Sequence, residues 1–140
     1  AMGWGWKSRL SNVNAAFLNV KFRYVNWIIK TREKIAKQYN KAFKDSPMGL
    51  PHEQEGRIWQ EYHLRVQERE KFAEFLKKKG IETLTRDIVP NHKMMDDLKH
   101  WELPVTEQLA KEVIRLPLHE HLTNNEVSYI IKCVKEYYAK

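Results

Sequence analysis

The chain has 140 residues, 42% of them hydrophobic and 11% aromatic, which is enough apolar surface for one domain with its own core and too much for a disordered chain. A formal net charge of +7 allows an acidic partner such as nucleic acid or a phosphorylated ligand, but a charge total specifies none of them. The lone Cys133 excludes an internal disulfide, and with no apolar run near the roughly 18 residues of a membrane span and no signal-peptide core, the expected location is cytoplasmic.

Residues 1–11 form a basic Trp-Gly segment in which Gly3 and Gly5 oppose helix until Ser11 or Asn12 can cap one. From Asn12 to Lys44 there is neither Gly nor Pro, and Val13, Phe17, Val20, Tyr24, Trp27 or Ile28, Ile35, Tyr39 and Ala42 recur mostly at helical spacing. This predicts one long connecting helix over 12–44, with room for a bend. Lys30, Lys34, Lys37, Lys41 and Lys44 line one side of it and read as a solvated face.

Residues 45–140 read as a small α/β subdomain. A turn-rich connector over 45–57 leads into a predicted strand over 58–66. A helix from Glu68 to Lys79 comes next, with a cationic last turn and Gly80 as its C-terminal cap. Ile81 to Thr85 reads as a second strand, and residues 87–102 as irregular. Pro104 opens another helix, Leu116-Pro117-Leu118 a third extended segment, and Thr123 with Glu126 is a capping box for a last helix carrying Val127, Ile130, Ile131, Val134 and Tyr138. The expected fold class is α+β: a long N-terminal helix plus a small, largely antiparallel sheet of about three short strands covered by helices.

No independent active site emerges from these residues. His119 and His121 flanking Glu120 lack an evident third metal ligand, so no metal is expected. Ser8, Ser11 and Cys133 have no identifiable base, and Glu107 and Glu112 show no acid/base spacing. Cys133 lies in an apolar-periodic segment and reads as a buried thiol. No nucleic-acid recognition motif accompanies the lysines, which disfavours that partner.

Three stretches carry a resemblance. Gly5-Trp6-Lys7-Ser8-Arg9-Leu10-Ser11-Asn12, followed by Ala15-Ala16, resembles the Gly-aromatic-Asn-x-Arg-[Leu/Met]-[Ser/Thr] segment of DegT/DnrJ/StrS aminotransferases, the pyridoxal-phosphate-dependent sugar aminotransferases. Ile28-Ile29, Arg32, Ile35-Ala36 and Tyr39, then FLKKKGIET, are similar to that family's long helix and its Gly-Ile-x-Thr step. LPVTEQLAKEVIRLPLHEHLTNNEV resembles its Leu-Pro-x-x-Glu and Leu-Pro-Leu-His-x-His-Leu-Thr motifs, so the similarity spans residues 3–138.

The resemblance implies the C-terminal region of such an enzyme, with the small domain of a fold-type I aminotransferase and without the domain bearing the Schiff-base lysine. It implies a fragment or split-gene piece that is inactive alone, from a family that moves an amino group from glutamate to a keto-sugar carried on a nucleotide. The rival expectation is a stand-alone interaction module without catalysis. Pyridoxal phosphate is the implied cofactor, with none expected on the isolated chain. By resemblance, Lys7 and Arg9 would contact the cofactor phosphate of a neighbouring subunit, Lys7 replacing the commoner asparagine. Arg86 and His92 would approach substrate, Arg86-Asp87 standing where many members have His-Tyr. The expected partners are a second copy in a homodimer and the missing large domain.

Overall fold

A computed structural model describes residues 9–85 and 89–139. Helix α1 (Asn12–Phe22) starts at Ser11, whose side-chain oxygen accepts the Asn14 N–H at 3.2 Å. Helix α2 (Val25–Phe43) begins after two residues, so the expected single helix is two. At the joint the Arg23 and Tyr24 amides bond carbonyls three residues back, Val20 at 3.2 Å and Lys21 at 3.0 Å, before Ile28 N–H returns to Tyr24 at 3.0 Å. This tightened turn leaves no mark in apolar spacing, because neither Gly nor Pro makes it. No residue of α1 is buried, whereas the second half of α2 buries Ile35, Ala36, Tyr39 and Phe43.

Among the described residues the sheet has two strands rather than three. Strand β1 (Tyr62–Arg65) pairs antiparallel with β2 (Val113–Leu116), placing Tyr62 opposite Leu116 and Leu64 opposite Ile114 on the buried face. His63 opposite Arg115 and Arg65 opposite Val113 make the other face. The strand expected over 81–85 is reduced to one bridge, in which Leu84 and Arg115 exchange backbone hydrogen bonds at 3.2 and 3.0 Å. Gly49 bridges Arg65 in the same way on the opposite edge, close enough that an added Cβ would meet the Arg65 Cβ at 3.0 Å. The last extended segment comes earlier than expected, because β-branched Val113 and Ile114 leave the helix and alternate outward and inward.

Helix α3 (Arg69–Lys78) ends as its composition predicts. Gly80 adopts φ +76°, Gly80 N–H bonds Lys77, and Ile81 N–H returns to Leu76, which brings buried Ile81 to buried Leu76. A one-turn helix α4 (Asn91–Met94) and a 3-10 turn (Asp96–Leu98) then lead to α5 (Pro104–Glu112) and α6 (Asn124–Tyr138). The capping box at α6 forms in full, with Glu126 returning to the Thr123 amide at 2.8 Å. Side chains from α2, β1, α3, β2 and α6 close one core, with Cys133 buried in it. Its buried phenols have partners: Tyr39 donates to the Pro117 carbonyl at 3.0 Å and Tyr62 to the Asn40 side chain at 2.7 Å. Left unpaired, each hydroxyl would cost about 1–3 kcal/mol.

Candidate functional site

Two of the four predicted site residues, Lys7 and Arg86, lie outside the described residues. Arg9 is exposed and precedes the Ser11 cap of α1 by two residues. The joint after α1 then turns the chain into α2, whose Arg32 pairs with Glu120 across 88 residues of sequence. The Arg32 Nε and Nη2 donate to one oxygen of Glu120 at 3.0 and 2.9 Å, and its Nη1 reaches the Gln60 carbonyl at 3.3 Å. This ties α2 to the His119–His121 turn after β2. Backbone donation at Glu120 and the Arg32 charge hold its carboxyl below the usual range. The His121 ring lies 6.0 Å from Trp27 and 6.4 Å from His119, so the His-x-His motif packs against α2 while its central carboxylate is engaged by arginine.

His92 sits on α4 and is only 5% exposed. Its Nε2 meets Glu107 Oε1 at 3.0 Å, and a carboxylate can only accept, so the proton of that bond is on Nε2. The same oxygen takes Lys93 Nζ at 3.2 Å and the Leu103 amide at 3.5 Å. Hydrogen bonds from His92 and then Lys93 hold the Glu107 carboxyl down to about 2. What the structure offers at this position is a saturated ionic clasp between the start of the 89–103 segment and the first turn of α5.

On the outer face of the sheet, Glu61 pairs with Arg115 and also lies 3.2 Å from His63 Nε2. Burial lowers the His63 pKa, against the pull of Glu61. Arg65 closes the row by donating to Glu112 at 3.0 and 2.7 Å. These charges are paired within the face.

The sequence reading named His92 but missed the residue that holds it. Glu107 shows in the sequence as the acid of the Leu-Pro-x-x-Glu motif and as a carboxylate without acid/base spacing, and nothing in a linear spacing of fifteen residues announces its imidazole partner. Arg32 and Glu120 were both in view, although their pairing across 88 residues was not.

A pyridoxal phosphate needs a sheltered amine for its aldehyde and donors for its phosphate. Every described lysine is at least partly exposed, and the buried charged or polar side chains among the described residues are Arg69 and His92. Arg69 is spent on Glu70 and the Ala110 carbonyl. Such a set provides among the described residues no sheltered amine to hold an aldehyde.

The profile of the DegT/DnrJ/EryC1/StrS aminotransferase family matches residues 1–135. The dTDP-3-amino-3,6-dideoxy-alpha-D-galactopyranose transaminase of Aneurinibacillus thermoaerophilus is 30% identical over 137 residues, covering 95% of this chain and 38% of that relative. The UDP-2-acetamido-2-deoxy-3-oxo-D-glucuronate aminotransferase of Pseudomonas aeruginosa is 30% identical over 130 residues, covering 90% and 36%. Among solved structures, S. venezuelae DesV in complex with a ketimine intermediate superposes with a TM-score of 0.88 at 26% identity, over 97% of this chain and 38% of that one. The chain thus spans little more than a third of the length of the relatives it matches.

Proposed function

Because this chain belongs to the DegT/DnrJ/EryC1/StrS aminotransferase family, we propose that it is the C-terminal portion of a cytoplasmic, pyridoxal-phosphate-dependent nucleotide-sugar aminotransferase that transfers an amino group from glutamate to a keto-sugar. The observation that carries this reading is the joint match of sequence and fold over nearly the whole chain to a little over a third of sugar aminotransferases. Helix α1 supports it independently. An eleven-residue helix with no buried residue and Phe17 and Phe22 about two-thirds exposed needs a covering surface, as an isolated helix of that length is marginal in water. Among the described residues no helix is long and apolar enough to cross a membrane.

In the assembled enzyme the cofactor supplies the electron sink for amino transfer. This chain contributes binding and orientation. Lys7 and Arg9 present an ammonium and a guanidinium to the cofactor phosphate of a neighbouring subunit in a homodimer, each suited to a dianion. Arg86 and His92 mark the segment that faces the sugar nucleotide. Alone, the chain is inactive.

The reading is tested by mixing the chain with the separately produced lysine-bearing portion of the A. thermoaerophilus relative. The expected result is cofactor retention and amino transfer in the mixture and neither in the chain alone, with Lys7→Ala releasing cofactor more readily than Lys41→Ala. Equal retention in the two variants removes the role of Lys7. A stoichiometric, borohydride-fixed cofactor on the isolated chain overturns the accessory reading altogether.

A further inference from the structure

We infer that Glu107 is the positioning residue of the 89–103 segment: one carboxylate oxygen gathers both ends of that segment and fixes it against α5. The inference rests on the reading of this segment as substrate-facing. His92 Nε2 and Lys93 Nζ reach Glu107 Oε1 from the beginning of the segment, at 3.0 and 3.2 Å, and the Leu103 amide reaches it from the end, at 3.5 Å. Ten residues separate His92 from Leu103, so the oxygen closes a loop of Ω type, whose ends are held together without a strand pair or a disulfide.

Nothing else in the described part of the segment does comparable work. His92 is its one buried residue, while Val89, Met94, Met95, Trp101 and Leu103 are all well exposed. Its backbone hydrogen bonds are local: Lys93 to Pro90, Met95 to Asn91, Leu98 to Met95, Lys99 to Asp96 and Trp101 to Leu98, and at its end the Leu103 carbonyl accepts the Glu107 amide at 2.9 Å as α5 begins. The first five shape the loop internally, and the last fixes only its final residue. Among the described residues, the side-chain contacts that hold the segment to α5 converge on one carboxylate, as expected of a segment with a low local opening free energy.

His92 therefore acts through Glu107. Its imidazole is a strut that carries the placement of α4, and the geometry assigns the positioning role to the acid that holds it. The partners also explain why glutamate suits the position: three donors converge on one acceptor, and a neutral amide could replace the oxygen but not the charge that favours Lys93.

Amide hydrogen exchange on the chain tests this, with Glu107→Ala, Glu107→Gln and Glu74→Ala, the last removing an exposed helix pair with Lys78. Glu107→Ala is expected to speed exchange at least about tenfold across 93–103 while amides of α2, β1 and α6 stay within about twofold. Glu107→Gln should recover part of the protection, and the His92 ring resonances should move in both variants but not in Glu74→Ala. Unchanged exchange over 93–103 in Glu107→Ala, or a rise shared by the whole core, overturns the inference. A second arm titrates uridine diphosphate into the wild-type mixture with the lysine-bearing portion of the relative. Saturable shifts over 89–103, weakened in Glu107→Ala, support the substrate-facing role. No response there in a chain that shows the latch sinks the substrate-facing reading while leaving the latch in place.

Discussion

The Glu107 carboxyl titrates at about 2 instead of its ordinary 4.5, chiefly because His92 and Lys93 donate to its charged form. A carboxyl with a depressed folded pKa stabilises the fold fully above its unfolded value and loses that contribution as pH falls through the folded one. The stability difference between wild type and Glu107→Gln should therefore be constant above about pH 4.5 and shrink as pH falls toward 2, read from urea unfolding midpoints. A difference that grows on acidification would contradict the clasp. This residue also marks where sequence reasoning stopped. His92 could be named from a resemblance, and Cys133 could be placed in the core from its periodic neighbours, because both inferences use only local sequence. Glu107 and the Arg32–Glu120 pair depend on contacts between distant segments, which composition and spacing do not encode.

Helix ends were the most legible elements. Gly80 and the Thr123–Glu126 box act within a turn of their own sequence, and both took the predicted geometry. Thr123→Ala removes the hydroxyl that accepts the Glu126 amide at 3.2 Å and should cost about 1 kcal/mol. In thermal melts this corresponds to roughly 2–5 °C, and α6 amides should exchange first. A melt unchanged by the substitution would show that packing of Val127, Ile130 and Val134 alone fixes the start of α6. Strands were less legible, since each is only four residues long and the expected strand at 81–85 contributes a single bridge. Alternation over so few positions cannot separate a strand from a bridging loop. The joint between α1 and α2 was hidden for a different reason: it is made by ordinary residues in helical backbone geometry, Arg23 at φ −64° and ψ −24°.

At the scale of the molecule, the core is built entirely from α2 onward, and α1 stands outside it. Leu10, Val13, Phe17, Val20, Phe22, Tyr24 and Trp27 are each at least half exposed. Their uncovered apolar area is on the order of the 800 Å² that one partner contributes to a standard interface. The isolated chain should accordingly self-associate, and Phe17→Glu should shift it toward monomer in sedimentation without altering the melting of the core. A clean monomer at high micromolar concentration would show that α1 tolerates water. Association through the sheet is a different matter. The outward peptide groups of Arg65 and Arg115 are already occupied by Gly49 and Leu84, so each four-residue strand meets a blocked neighbour position where a foreign strand would have to dock. Clumping of this chain should therefore proceed helix to helix and remain reversible, and a crowded preparation should cloud without seeding fibrils.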